Sequence, residues 1–135
     1  MRRSRDELFM AVARLFAEQS TCNRGNVGVV IVQDRRIVSC GYNGSPPGAP
    51  HCLDVGCEPA DGCLRTIHAE ANAILWAARH GVKLEGATMY STHSPCLTCA
   101  QAIVQSGIIL LVFDTTYRLA RLEVLNEANV PWYQL

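Results

Sequence analysis

Two short stretches constrain this chain more than anything else in it: His68-Ala69-Glu70 and Pro95-Cys96-Leu97-Thr98-Cys99. The first opens a run, Thr66 to His80, in which Ile67, Ala71, Ile74, Leu75 and Ala78 recur at helical spacing, with Gly81 where a C-cap glycine belongs. An imidazole and a carboxyl buried in such a run are costly unless something compensates them. In the second stretch, Ser94 and Pro95 supply an N-cap and a first-position proline, so Cys96 is expected as the second residue of a helix and Cys99 one turn on. A helix N-terminus favours thiolate over thiol. Two thiolates and one imidazole make three ligands for a divalent ion, so a fold that satisfies the pattern must bring the beginnings of two helices together.

Zinc with three protein ligands keeps a fourth position for water, which is the catalytic arrangement; structural sites are closed by four. The ion brings the pKa of that water towards neutrality. Glu70, expected in the first turn beside His68 but not as a ligand, can carry the proton to a substrate and on to a leaving group. The H-x-E…P-C-x-x-C pattern is the signature of zinc nucleobase deaminases. A satisfied core histidine, a structural zinc knuckle or a redox pair accounts for one part each, whereas the catalytic site with His68, Cys96, Cys99 and Glu70 accounts for all of them.

The bulk properties agree. A length of 135 residues suits a single domain over 1–135, and 49% hydrophobic with 18% charged residues is a globular composition. Zero formal net charge gives no field to attract nucleic acid or an anionic membrane. The longest apolar run, Ile108 to Phe113, is far too short to span a bilayer, and Arg5-Asp6-Glu7 interrupts what begins like a targeting signal. Seven cysteines are an odd number for a closed disulfide framework, so metal ligation in a reducing cytoplasm is the expectation.

Ser4 can cap a helix to about Gln19; Val27 to Val32 and Ile37 to Tyr42 read as a hairpin. A loop dense in Gly, Pro and Cys follows, Gly41 to Cys63, long enough to suggest function. After the helix at Thr66 come a strand at Ala87 to Ser91, a helix ending near Gly107 and a strand at Ile108 to Phe113. A helix of about Arg118 to Ala128 and a C-terminal edge strand complete the order. This succession predicts a three-layer α/β domain with a partly parallel sheet.

At this point the chain resembles a known family, the deoxycytidylate (dCMP) deaminases of the cytidine deaminase superfamily. The resemblance covers about residues 4 to 117 and rests on VGVVIV at Val27, GYNGSPPG at Gly41, HAEANAIL at His68, TMYSTHSPCLTCA at Thr88 and QSGIILLVF at Gln105. It implies a three-layer α-β-α cytidine deaminase-like fold around a mixed five-stranded sheet, and hydrolytic deamination of dCMP to dUMP with loss of ammonia. Glu70 would protonate the ring N3 and then the amine, the Ala69 N–H would meet O2, and the Ser94 carbonyl would accept from the amine. Asn43 matches the residue that fixes the sugar and Tyr117 one near the base; an Asn-Gly turn and a partly exposed loop aromatic are the plainer readings. Candidate phosphate donors are Arg24, Ser45 and the backbone after Asn43.

Members of the family also bind dCTP as activator and dTTP as inhibitor at subunit contacts of a hexamer, usually through the GYNGSPPG loop and sometimes with Mg2+. The resemblance therefore implies a homo-oligomer with possible triphosphate effectors. Some members carry a second, structural zinc; STCNR at Ser20 and PHCLDVGC at Pro50 match that subgroup, which implies Cys22, Cys52, Cys57 and Cys63 as ligands with His51 in reserve. Unpaired buried thiols are the alternative. Cys40 is expected to be a small core residue and His93 to line the pocket. Rival functions are deamination of a modified dCMP such as the 5-methyl form, of other cytosine substrates or of adenosine in tRNA, which the neutral charge and GYNG argue against. A zinc-stabilised binding module would have no need of Glu70.

Overall fold

The computed structural model describes residues 1–57 and 63–135. The expected hairpin is present as β1 (Gly28–Gln33) and β2 (Arg36–Tyr42), joined by Asp34 and Arg35, both at positive φ. That backbone matches the twist of the flanking strands. β1 also runs antiparallel to β3 (Thr88–His93), which pairs in parallel with β4 (Leu110–Thr115), and β4 in parallel with β5 (Trp132–Gln134). The order β2-β1-β3-β4-β5 is the mixed five-stranded sheet that the resemblance implies.

Alternation along β1 builds the layers. Val29 and Ile31 enter a core with Ala69, Ala73 and Ala77 of α3 (Ala69–His80), Ala100 and Ile103 of α4 (Leu97–Gln105), and Leu125 of α5 (Glu123–Glu127). Val30 and Val32 face the other way, against Phe9, Met10 and Ala13 of α1 (Arg5–Ala17). Both faces are covered, which is why β1 reads in sequence as an unbroken apolar run. α1 starts as expected: Ser4 Oγ accepts the Glu7 N–H and the Glu7 carboxylate accepts the Ser4 N–H, a capping box. Asp6 then accepts from the Tyr90 and Tyr133 hydroxyls, each at 2.6 Å, tying the helix to β3 and β5.

Gly28 is where the strand and α1 come closest. A Cβ there would collide with the Ala13 carbonyl oxygen and the Ala17 nitrogen, both backbone atoms, so relief requires the helix to move. Gly28→Ala is expected to destabilise the fold by about 3 kcal/mol. Urea denaturation checks this as a lower midpoint at unchanged slope.

Besides shifts of one or two residues at the ends of α1, β3 and β4, four features differ from the sequence expectations. α3 starts at Ala69 with His68 as its N-cap, not at Thr66, and the N-cap of α4 is Cys96, not Ser94. The Ser94 hydroxyl is unavailable for capping because it accepts the Tyr117 N–H at 2.8 Å. A one-turn helix, α2 (Cys52–Val55), interrupts the long loop. α5 is shorter than Arg118 to Ala128, because residues 117–121 turn back onto the start of α4, Arg121 N–H donating to the Pro95 carbonyl at 2.9 Å. Among the described residues no helix is long and apolar enough to cross a membrane.

Candidate active site

The two motif segments share one local design. His68 (φ −64°, ψ 151°) and Cys96 (φ −73°, ψ 176°) are extended residues whose carbonyls accept the first helical N–H groups, from Asn72 at 2.8 Å and Ala100 at 2.9 Å. Neither side chain caps its own helix. They meet each other instead. His68 Nδ1 lies 3.5 Å from Cys96 Sγ and 3.4 Å from Cys99 Sγ, and the three donor atoms are all within 4.8 Å of one another. Tetrahedral zinc with ordinary Zn–N and Zn–S bonds spaces nitrogen and sulfur about 3.6 Å apart, so the donor set fits that ion. Because β3 ends at His93, the group sits just past the carboxyl end of a strand, where open α/β sheets carry their sites.

The electrostatics of the trio are those of ligands sharing too few charges. Hydrogen bonds from Cys99 and then His68 pull the Cys96 thiol down to about 3, while Cys96 and burial push Cys99 up. The same Cys96 bond raises His68 above the ordinary imidazole range. A divalent cation would hold both sulfurs as thiolates and the ring as neutral imidazole. Glu70, second residue of α3 and only 4% exposed, stands beside them. Burial pushes its carboxyl up to about 7, against the pull of its own N–H and of His68.

These groups open on a cavity of about 270 Å³ that His68, Glu70 and Cys96 line together with Asn43, Ala69, Ser94, Tyr117, Arg24 and His93. Six of the seven expected contact and catalytic positions therefore share one cavity. Ser45 does not: it lines a separate cavity of about 350 Å³ with Phe16, Tyr42, His51 and Trp76. The reason is the Gly44–Ile67 bridge, after which the chain turns away, and the Ser45 N–H goes to Thr21 Oγ1 at 3.2 Å. Asn43 is buried and largely employed by the backbone, its Oδ1 accepting from Val27 N–H at 2.8 Å and its Nδ2 donating to the Gly25 carbonyl at 2.7 Å.

Of the four other expected metal ligands, Cys52, Cys57 and Cys63 form a second close group. Cys22 is not gathered with them; its sulfur accepts the Arg24 N–H at 3.5 Å. His51 is also apart, paired with Asp54 at 3.9 Å. Cys63 is pulled down to about 6, chiefly by the Thr66 hydroxyl, which donates to it at 3.3 Å. Cys40 is half-buried in β2, as a small packing residue would be. Sequence reasoning missed four cavity residues, Gly25, Val27, Thr66 and Arg118. Thr66 could have been found from its place three residues after Cys63, but nothing local marks Arg118.

Comparison with known proteins adds three findings. Residues 3–115 match the family described as the cytidine and deoxycytidylate deaminase zinc-binding region. Among curated proteins, the chain is 47% identical over 114 residues to ComE operon protein 2 of Bacillus subtilis, an alignment of 84% of this chain and 60% of that one. It is 40% identical over 139 residues to the deoxycytidylate deaminase of Saccharomyces cerevisiae, across 96% of this chain and 44% of the relative. The chain thus spans about half the length of these relatives. Among solved structures, the dCMP deaminase of cyanophage S-TIM5 in complex with dCMP and dUMP superposes with a TM-score of 0.90 at 32% identity, over 100% of this chain and 99% of that one.

Proposed function

The chain belongs to the cytidine and deoxycytidylate deaminase family, and we propose that it hydrolyses dCMP to dUMP and ammonia. The observation that carries this reading is the three-donor group of His68, Cys96 and Cys99 with the buried Glu70 carboxyl beside it, His68, Cys96 and Glu70 opening on one cavity. A zinc ion held by the three donors would supply a Lewis acid that makes water nucleophilic near neutral pH.

The remaining steps belong to the chain's own groups. Glu70 takes a proton from water and delivers it to ring N3 as the water oxygen adds to C4, then carries the proton of the new C4 hydroxyl to the exocyclic amine as the C4–N bond breaks, C4=O forms and ammonia leaves. A carboxyl raised to about 7 by burial can both accept and give a proton near neutral pH. The Ala69 N–H donates to O2, and the Ser94 carbonyl accepts from the amine. Asn43, anchored by its own backbone bonds, orients the sugar with the N–H and lone pair it has left, and Tyr117 covers the base. Ammonia release from dCMP, 5-methyl-dCMP, deoxycytidine and an RNA stem-loop, each with and without dCTP or dTTP, tests this. Turnover of dCMP alone or far ahead of the others is expected; turnover of RNA alone would overturn it.

A second, structural zinc is part of the same reading, on the gathered Cys52, Cys57 and Cys63 with Cys22 or His51 drawn in as the closing fourth ligand, a staple for the loop that borders the cavity. Cys63→Ser is expected to lower zinc by one equivalent per chain and reduce Tm, with turnover falling less than about tenfold. Elemental analysis and thermal denaturation measure both. The cavity around Ser45, whose buried Oγ has no partner among the described residues, suits an effector triphosphate with Mg2+ at a contact in a homo-hexamer. A cytoplasmic setting accords with free thiols at all seven cysteines.

A further inference from the structure

The wall of the substrate cavity carries a reactive group that deamination does not use. Cys63 lines that cavity together with His68, Glu70 and Cys96, yet it belongs to the second sulfur group. Its Sγ lies 3.3 Å from the Sγ of Cys52. A disulfide bond is about 2 Å long, so little more than about 1 Å of sulfur movement would close the pair. Cys52, at the start of α2, is 1% exposed, whereas Cys63 is half-buried. A solute small enough to enter the cavity therefore reaches one sulfur of a close pair and not the other.

Thr66 ties this pair to the site. Its hydroxyl and its N–H both donate to Cys63 Sγ, at 3.3 and 3.4 Å, and the hydroxyl is 3.5 Å from Cys52 Sγ. Thr66 itself lines the cavity. The next residue, Ile67, exchanges two hydrogen bonds with Gly44, at 2.8 and 3.1 Å. Those bonds join the residue before His68 to the residue after Asn43. A thiolate is a charged acceptor and a disulfide sulfur a weak one, so oxidation of Cys63 withdraws both Thr66 bonds two residues from a zinc ligand.

We propose that Cys52 and Cys63 are an oxidisable pair on the wall of the substrate cavity, which a hydroperoxide entering that cavity converts to a disulfide, releasing the second zinc and loosening nucleotide binding. This role rests on reading the cavity as the nucleotide site and the cysteine group as a zinc site. The Cys63 sulfur attacks the hydroperoxide: an S–O bond forms, the O–O bond breaks, and the leaving oxygen takes a proton and departs as water or an alcohol. Cys52 then attacks the Cys63 sulfur, the S–S bond forms, the S–O bond breaks, and water leaves with a second proton. Two electrons, one from each sulfur, have passed to the peroxide. Two thiolate donors disappear with the new bond, and Cys57 with one further ligand is short of the four that close a structural zinc site. A nucleotide that reaches His68, Cys96 and Glu70 fills the space from which Cys63 is approached.

The test treats zinc-loaded wild type with hydrogen peroxide, with and without saturating dUMP. Peptide mass mapping locates the disulfide and a chromogenic chelator follows released zinc. The expected product is a Cys52–Cys63 disulfide, formed with one equivalent of zinc released per chain and reversed by dithiothreitol with added zinc. Bound dUMP should slow it by at least about tenfold. The oxidised protein should keep its catalytic zinc and show KM for dCMP raised about three- to tenfold, the scale of two weak hydrogen bonds, with kcat changed less. Cys52→Ser should stop at a Cys63 sulfenic acid, trapped by dimedone, and form no disulfide. Oxidation that pairs Cys96 with Cys99 and spares Cys63, or that proceeds equally fast under saturating dUMP, would overturn the proposal. Should Cys52→Ser not fold, the wild-type map still decides. Failure of dUMP to bind in calorimetry defeats the deaminase reading, whereas binding without protection defeats this one alone. A wild type that holds one zinc from the outset defeats the second-metal reading, and the sulfur pairing then decides by itself.

Discussion

Glu70→Ala is expected to lower kcat for dCMP by about 10²- to 10⁴-fold, the range for a positioned general acid–base group, while zinc content stays at the wild-type value. The two halves of that result separate the roles. Glu70 is not among the gathered donors, so its loss should not release the ion. Nor does it hold up the fold: it is a carboxyl at 4% exposure, pushed up to about 7 by burial, and a group in such a place costs free energy. Glu70→Gln keeps the shape but cannot cycle a proton, and it should be as inactive as the alanine variant and at least as thermally stable as wild type. Activity within tenfold of wild type in Glu70→Gln would remove the proton-transfer step. Stopped-flow absorbance of the pyrimidine and elemental analysis on the same samples give both numbers.

Cys99→Ala should act differently, abolishing both metal and turnover. Its Sγ is 3.4 Å from His68 Nδ1 in the first turn of α4, and 3% of the residue is exposed. Without it, two donors remain, which is short of the three that a catalytic zinc site keeps. The expected result is one equivalent of zinc lost per chain and kcat reduced at least about 10³-fold, the scale of losing a Lewis acid worth several kcal/mol. Contrast with Cys63→Ser is informative, since both remove one zinc but only one removes the chemistry. If Cys99→Ala kept its zinc and its rate, the donor set would have been misassigned.

The meeting of two helix starts was legible because local chemistry and spacing coincide there. His68, Glu70, Cys96 and Cys99 each carry a donor or a proton, and each lies within a turn of a helix beginning. The β1 core was legible for a related reason, a run of valines and isoleucine that no surface strand would need. What escaped depends on distant partners. Ser94 reads as a helix cap because Ser-Pro is a strong local signal, yet the N–H that claims its hydroxyl belongs to Tyr117. Ser45 was set beside Asn43 by sequence adjacency, and the Gly44–Ile67 bridge then sends it to another cavity. Cys22 lies one residue beyond Thr21, whose carbonyl bonds Leu53 N–H at 3.2 Å, so the loops do approach although Cys22 itself stays outside the trio. Arg118 carries no local signal at all. Its relevance comes only from the return of residues 115–121 over the start of α4.

The most direct test of the central claim is anomalous diffraction at the zinc edge from crystals grown without added metal. The expected map has a peak within bonding distance of His68 Nδ1, Cys96 Sγ and Cys99 Sγ, with the Glu70 carboxylate nearby but outside that distance. A map with no peak among those three atoms, or with Glu70 as a bonded ligand, would contradict it.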